Sequence, residues 1–138
     1  MRVRVVTNTR LSSASVLRRR ELEVEQIRAR FAAVFEGTDS LMFIKRCKGP
    51  FIAANRRFLE VKFGGADIIG KTDRDLHTPV VAEAFEAIDE TVFESGQPYF
   101  GEETVAAADG TLRHYITSKF LIPDPALGEP VLCGVATD

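Results

Sequence analysis

Two histidines, two cysteines and a few carboxylates are the side chains of this 138-residue chain with the means to do chemistry, and their spacing limits what that chemistry is. His77 follows Asp73 and Asp75 closely enough to share a divalent cation with them. A third ligand is missing and a two-ligand site is weak, so no metal site is assigned and His77 reads as a surface loop residue. His114 lies beside Tyr115 in a β-patterned run, where an outward-facing imidazole is expected; turned inward, it would titrate near ~6.5 as a pH-responsive group. Glu102 and Glu103 are adjacent on a strand and therefore point to opposite faces, which excludes a carboxylate dyad. One of them can turn inward to a basic or hydroxyl partner while the other stays solvated. The best acid/base set is Asp89, His114 and Tyr115, which a curved sheet would have to bring together. The chain has no glycine-rich phosphate loop, no nucleophile elbow and no Cys/His or Ser/His constellation. No catalytic residue is assigned, and a non-enzyme is the expectation.

Length and composition set the frame. At 138 residues, 45% apolar and 28% charged, the chain has the makings of one ordinary globular domain with a real core. It has no apolar run near the ~20 residues a membrane-spanning helix needs, and residues 1–15 lack the apolar stretch of a signal peptide. Cys47 and Cys133 form no disulfide framework, which favours a reducing, cytoplasmic setting. Residues 1–30 carry eight Arg against three Glu, whereas the other 108 residues carry ten Lys or Arg against seventeen Asp or Glu. An acidic body argues against a nucleic-acid surface.

Residues 1–14 show no helical period and are expected to be a flexible lead-in. Over residues 15–36, Leu17, Val24 and Phe31 recur every seven residues, with Ile27 and Val34 three beyond the last two. The pattern fits an a/d seam, broken where Arg20 stands at a d position. Such a helix either pairs with its twin in a dimer or lies on its own domain. Residues 41–45 and 51–54 read as strands around a turn at 46–50, and Asn55 is suited to cap a helix running to residue 63. A short turn follows at 66–70, and Thr72-Asp73-Arg74-Asp75 resembles a capping box with Asp in place of Glu. Thr78 as cap, Pro79 at the first helical position and Gly96 past the end delimit a long helix. Its apolar stripe is expected at Val81, Phe85, Ile88 and Val92. Runs at 97–107, 111–122 and 130–137 read as three further strands, joined by Asp109-Gly110 and the loop 123–129. Two paired strands, a helical crossover and three meandering strands make an α+β domain with one antiparallel sheet. The last run is apolar nearly throughout, as an interior strand is, and the chain stops there. That is expected of a module continued by something downstream.

This order, with these residues, resembles a PAS domain from about Phe31 to Asp138. The likeness rests on Phe51-Ile52-Ala53-Ala54-Asn55, Ile68-Ile69-Gly70-Lys71 and Glu94-Ser95-Gly96-Gln97-Pro98. It continues through Glu102-Glu103, Asp109-Gly110-Thr111, Ser118-Lys119-Phe120 and Cys133-Gly134-Val135-Ala136-Thr137-Asp138. The resemblance implies a five-stranded antiparallel sheet with helices cupping a small pocket on one face, over residues 37–138. It also implies a flanking helix at 15–36 through which two copies dimerise, using Leu17, Val24, Ile27 and Phe31. Asp138 would open the motif that latches the outgoing helix, making it the signal exit. Members sense ligands, redox state or light, or act as dimerisation modules, and relay to histidine kinases, cyclases or transcription factors.

The chain departs from the family pattern at two places. The turn between the first strands carries Arg46-Cys47-Lys48-Gly49 where Asp-x-x-Gly is usual. Gly70-Lys71-Thr72-Asp73-Arg74 puts Asp73 where flavin-binding relatives hold a reactive cysteine, so flavin–cysteinyl photochemistry is not expected. The long helix has no histidine, so haem held from that helix is not expected either.

Alternation on the fourth strand puts Leu112, His114, Ile116, Ser118 and Phe120 on one face and Arg113, Tyr115, Thr117, Lys119 and Leu121 on the other; which face the helices cover is open. Candidate pocket liners are Phe43, Phe58, Ile68, Phe85, Ile88, Tyr115, Thr117 and Cys133. The expected function is a cytoplasmic sensory relay module, a homodimer in a larger two-component or cyclase-type protein with a downstream effector. It would bind a small molecule, with no nucleic-acid partner and no membrane span. The alternatives are a ligand-free docking scaffold and a small cone-shaped α+β enzyme.

Overall fold

A computed structural model describes residue 2 and residues 12–138 of the chain. The chain divides into two compact units, Met1–Val34 and Phe35–Asp138. The lead-in expected over residues 1–14 falls mostly outside the described residues. Helix α1, Ser13–Gly37, begins where the Ser12 hydroxyl accepts from the Ser15 N–H at 3.2 Å, supplying an acceptor for a donor the first turn leaves free. Its a/d residues stay exposed in the single chain, Leu17 at 59% and Ile27 at 63%.

In the second unit the elements run β1 (Leu41–Lys45), β2 (Phe51–Ala54), α2 (Arg56–Phe63), α3 (Asp73–Leu76), α4 (Pro79–Ser95), β3 (Tyr99–Ala106), β4 (Leu112–Ile122) and β5 (Val131–Thr137). The five strands form one antiparallel sheet in the order β2-β1-β5-β4-β3. The last strand thus lies at the centre, which accounts for its apolar sequence.

Local chemistry sets the boundaries. Asn55 is fully buried, and its Oδ1 accepts from the N–H groups of Phe58 (2.9 Å) and Met42 (3.1 Å), capping α2 and holding β1. Its amide donates to the carbonyls of Phe35 and Ser40, both at 2.9 Å, so one side chain joins three segments. Thr72 and Asp75 form a reciprocal capping box on α3, and the N–H and hydroxyl of Thr72 hold the Asp75 carboxyl below its usual range. Pro79 starts α4 and Gly96, at φ 67°, ends it. Thr78 occupies the cap position of α4 but makes no side-chain cap bond. Residues 66–70 form a turn and no helix.

The core lies between the sheet and α2–α4. Phe43, Phe51, Phe58, Val61, Ile68, Val92, Tyr115 and Leu132 are buried together there. A bulge in the β1–β2 pairing at Ile44/Lys45 lets Phe51 and Ala54 both pack on this side, while Ala53 packs on the other. Gly134 of β5 pairs with Phe43, whose ring occupies the space a side chain at 134 would need. Ile44, Val131 and Cys133 form a smaller cluster on the opposite face.

The stripe α4 turns inward differs from the expected one. Ala82, Asp89 and Val92 are buried, whereas Val81 is 40% exposed. A carboxylate therefore occupies the middle of the inward face, and two buried lysines explain it.

Candidate functional site

Three strands and two helices aim ionised groups into the space between the sheet and α3–α4. Lys45 ends β1 on the face shared with Leu41 and Phe43, and Lys119 lies on β4 on the face of Tyr115 and Thr117. Their side chains are only 5% and 3% exposed. Lys45 Nζ lies 2.6 Å from Asp73 Oδ2 on α3 and 2.5 Å from Asp89 Oδ2 on α4. Lys119 Nζ donates to the other Asp89 oxygen at 3.0 Å and lies 3.8 Å from Glu103 Oε1 on β3. Asp89 thus takes one lysine on each carboxylate oxygen. Thr117 donates to Glu103 Oε2 at 3.2 Å. Glu103 Oε1 is buried without a hydrogen bond, the Lys119 contact being too long for one.

Burial alone would pull the Lys45 pKa down, but Asp89 and Asp73 more than reverse this, so it stands above the ordinary lysine value. Lys62, on the last turn of α2, has no such partner. Burial pushes its pKa below the usual value, and nearby Lys119 adds to the effect against the opposing pull of Glu103 and Asp73.

His77 is not the surface loop residue the sequence pointed to. It ends α3 with its ring between Phe63 and Phe85, at centroid distances of 5.9 and 5.3 Å, and its side chain is 16% exposed. The rings of Phe43, Phe58, Phe63, His77 and Phe85 make a continuous series from β1 to α4. Burial, then the charges of Lys62 and Lys45, lower the His77 pKa, with Asp73 opposing.

Two hollows border these groups. An open cleft of about 330 Å³ lies between the β1–β2 turn and α3–α4, lined by Lys45, Lys48, Asp73, Asp89, Glu90 and Phe93 among others. At its rim Arg74 makes a bidentate pair with Glu86, at 2.9 and 2.8 Å. A smaller cavity of about 40 Å³ lies deeper, walled by Phe43, Phe58 and Phe85 and by the heads of Lys45, Lys62 and Lys119, with Asp73 and His77. Lys45 and Asp73 border both.

Of the residues singled out from sequence, Phe43, Phe58 and Phe85 meet around the inner cavity. Ile68 and Tyr115 are buried in the main core, and Thr117 is buried against Glu103. Ile88 is half-buried on α4 and borders neither hollow. Cys133 lies on the opposite face of the sheet, because β5 alternation turns Leu132 and Gly134 to the helices and Cys133 away. Of the glutamate pair, Glu103 points inward to Thr117 and Lys119, and Glu102 is exposed. His114 is exposed and bonds Thr104 at 2.8 Å, on the face away from Tyr115, so Asp89, His114 and Tyr115 do not assemble. Asp138 follows β5 and is exposed.

Lys45, Lys62 and Lys119 are the members of the site that sequence reasoning missed, and that reasoning places Asp89 in a different set, with His114 and Tyr115. The available signal was local: Asp89 interrupts an apolar stripe four residues after Phe85 and three before Val92. Lys45 and Lys119 each share a strand face with buried residues.

A five-stranded antiparallel sheet in this order, with helices enclosing a polar hollow on one face, defines an α+β domain of one sheet and one helical layer. A model of the PAS fold matches residues 35–138, and the chain belongs to the PAS family. Among solved structures it is similar to the PAS domain of an HTR-like protein from Haloarcula marismortui, with a TM-score of 0.67 and 20% identity over 88% of this chain and 98% of that one. The PAS domain of BvgS from Bordetella pertussis gives 0.65 and 22%, over 83% and 86%. The PAS domain of the RpfR quorum-sensing receptor from Cronobacter turicensis, in complex with BDSF, gives 0.57 and 22%, over 73% and 94%. At these identities the likeness speaks for the fold. Comparison with curated proteins found no match. No helix among the described residues is long and apolar enough to cross a membrane.

Proposed function

We propose that the chain is a sensory, signal-relaying PAS module of a larger cytoplasmic signalling protein of the histidine kinase or cyclase type, and that a small molecule binds beside its buried lysines. The observation that carries this reading is the polar interior, with Lys45 at the edge of both hollows and Lys119 at the inner one, each almost wholly desolvated. A domain used only as a scaffold gains little from such groups, since replacing a buried ion pair with well-packed apolar residues is often neutral or stabilising by about 1–4 kcal/mol. Buried charges beside a cavity are instead the few placed polar groups that orient a ligand against apolar walls. The RpfR domain in complex with BDSF is an example of this fold occupied by a small molecule.

The role is binding and not catalysis. The ion pairs link the sheet to α3 and α4, so a ligand that prefers one arrangement of those pairs shifts the position of the helices. Dimerisation through α1 is the second part of the reading, supported by the exposed seam of Leu17, Val24, Ile27 and Phe31.

Native mass spectrometry of protein purified from cells tests the ligand. A small molecule that co-purifies repeatedly is expected, and a consistently empty chain favours the scaffold. The dimer is tested by Leu17→Asp, Val24→Asp and Ile27→Asp together in analytical ultracentrifugation. The expected result is monomer, and an unchanged dimer population removes α1 from the interface.

A further inference from the structure

The inner cavity has an imbalance that identifies the kind of occupant it suits. A lysine ammonium carries three donors and no acceptor. Lys45 commits two of its three N–H bonds to Asp73 and Asp89, and Lys119 commits one to Asp89. Lys62 makes no hydrogen bond or ion pair among the described residues, and its head lies over the ring of Phe85 at 5.7 Å. Lys119 stands over the same ring at 5.5 Å, so two ammonium groups converge on one aromatic wall. Against these donors the lining offers one carboxylate, Asp73, already paired with Lys45, while Glu103 stands outside the lining with its Oε1 3.8 Å from Lys119 and without a hydrogen bond. The cavity is thus rich in donors, poor in acceptors and walled by three phenyl rings.

The missing component is an acceptor-only anionic head on a small apolar body. A volume of about 40 Å³ holds two to four heavy atoms, roughly the room taken by a few waters. A neutral acceptor would fill the space but leave the Lys62 charge unpaired. A phosphate brings a larger, more strongly hydrated head and nothing for the phenyl walls.

We propose that the inner cavity binds a short-chain organic carboxylate of acetate size, with its oxygens on Lys62 and Lys119 and its methyl end against the Phe58 and Phe85 rings. This deepens the ligand-sensor reading above and rests on it. An anion there also offsets the crowding of cations around His77, so occupancy has a spectroscopic signature: it restores the imidazole's affinity for a proton.

The test is an NMR titration of the full 138-residue chain with sodium formate, acetate and propionate at constant ionic strength, following the His77 ring and the Phe58 and Phe85 signals. Acetamide serves as the neutral isostere and inorganic phosphate as the carbon-free anion. Saturable shifts are expected with formate and acetate and weaker ones with the five-heavy-atom propionate, with an upward move of the His77 titration midpoint. Lys62→Gln, which removes a group that makes no ion pair, should weaken acetate binding at least tenfold and leave the remaining spectrum intact. Arg57→Gln, exposed on the same helix, should leave affinity unchanged. Equal binding of acetamide, stronger binding of phosphate, or full affinity in Lys62→Gln overturns the carboxylate assignment. If a neutral molecule saturates the same signals, the ligand-sensor reading stands without it. If no probe shifts these signals and nothing co-purifies from cells, both fall.

Discussion

Lys45 Nζ and Asp89 Oδ2 lie 2.5 Å apart and tie the end of β1 to the middle of α4. Each member has a second partner, Asp73 for Lys45 and Lys119 for Asp89, so the pair is the middle link of a buried chain of charges. Lys45→Met leaves Asp73 without its ammonium partner and Asp89 with Lys119 alone, and is expected to cost about 3–5 kcal/mol. Adding Asp89→Leu removes one of the two carboxylates that Lys45 held, so the double variant should be more stable than the sum of the single losses predicts, with a coupling of about 0.5–3 kcal/mol. Urea unfolding of the four proteins of the cycle gives the answer, and additive losses would show that the pair is not coupled.

The acid side of the stability profile should report His77. Its folded pKa lies below the ordinary ~6.5, because burial, then Lys62 and Lys45, outweigh the attraction of Asp73. The unfolded chain therefore binds this proton more readily than the folded one. The contribution is present above the unfolded value and is lost as pH falls through the folded one. His77→Phe, which keeps the ring contacts with Phe63 and Phe85, should flatten the decline in stability between about pH 7 and pH 5. A slope identical to that of the parent protein would remove His77 as its source.

Gly134 tests the packing of the central strand. A methyl group there would meet the Phe43 ring, which is itself held by Phe51 and Phe58 at 5.5 and 5.1 Å. Gly134→Ala is expected to destabilise the domain by about 1–3 kcal/mol through overpacking. Phe43→Leu in the Gly134→Ala background should recover part of that loss, although Phe43→Leu alone destabilises. Thermal denaturation distinguishes the cases.

The two cysteines should differ sharply in thiol chemistry. Cys47 lies exposed on the β1–β2 turn, whereas burial raises the Cys133 pKa and keeps its thiol protonated at neutral pH. A thiol-reactive dye at pH 7.5 (about one unit below the ordinary ~8.5 of a free cysteine) should label one site quickly. The second should react at the rate of opening of the β1–β5–β4 sheet. Cys47→Ser should abolish the fast phase alone.

The strands β1 and β2 and the helix α4 were legible to the residue, because Gly, Pro and Asn mark their ends through backbone preferences that need no tertiary context. The inward face of α4 was less so. Val81 and Ile88 fit an apolar period as well as Ala82 does, and what turned the helix was the attraction of Asp89 to lysines on β1 and β4, 44 and 30 residues away in sequence. A charged residue in an amphipathic pattern is normally assigned to solvent, and only pairing across the core reverses that. His77 was misread for a similar reason, since its aromatic neighbours Phe63 and Phe85 come from two other elements. For Cys133, strand alternation was available, but it becomes a choice of face only once the helices are in place.

The strand order β2-β1-β5-β4-β3 has a consequence for how the domain assembles. β1 with β2 and β3 with β4 are local hairpins that can form early, yet neither bonds the other, and both depend on β5, which follows all four of them in the chain. Until it inserts, each hairpin has an open edge, and Lys45 and Lys119 stand on separate halves. Closing the sheet requires contacts separated by some ninety residues, such as Phe43 with Gly134, and such non-local pairing is intrinsically slow. The domain therefore gains its interior in one late step, in which the insertion of an uncharged strand brings two lysines and their shared aspartate out of water together.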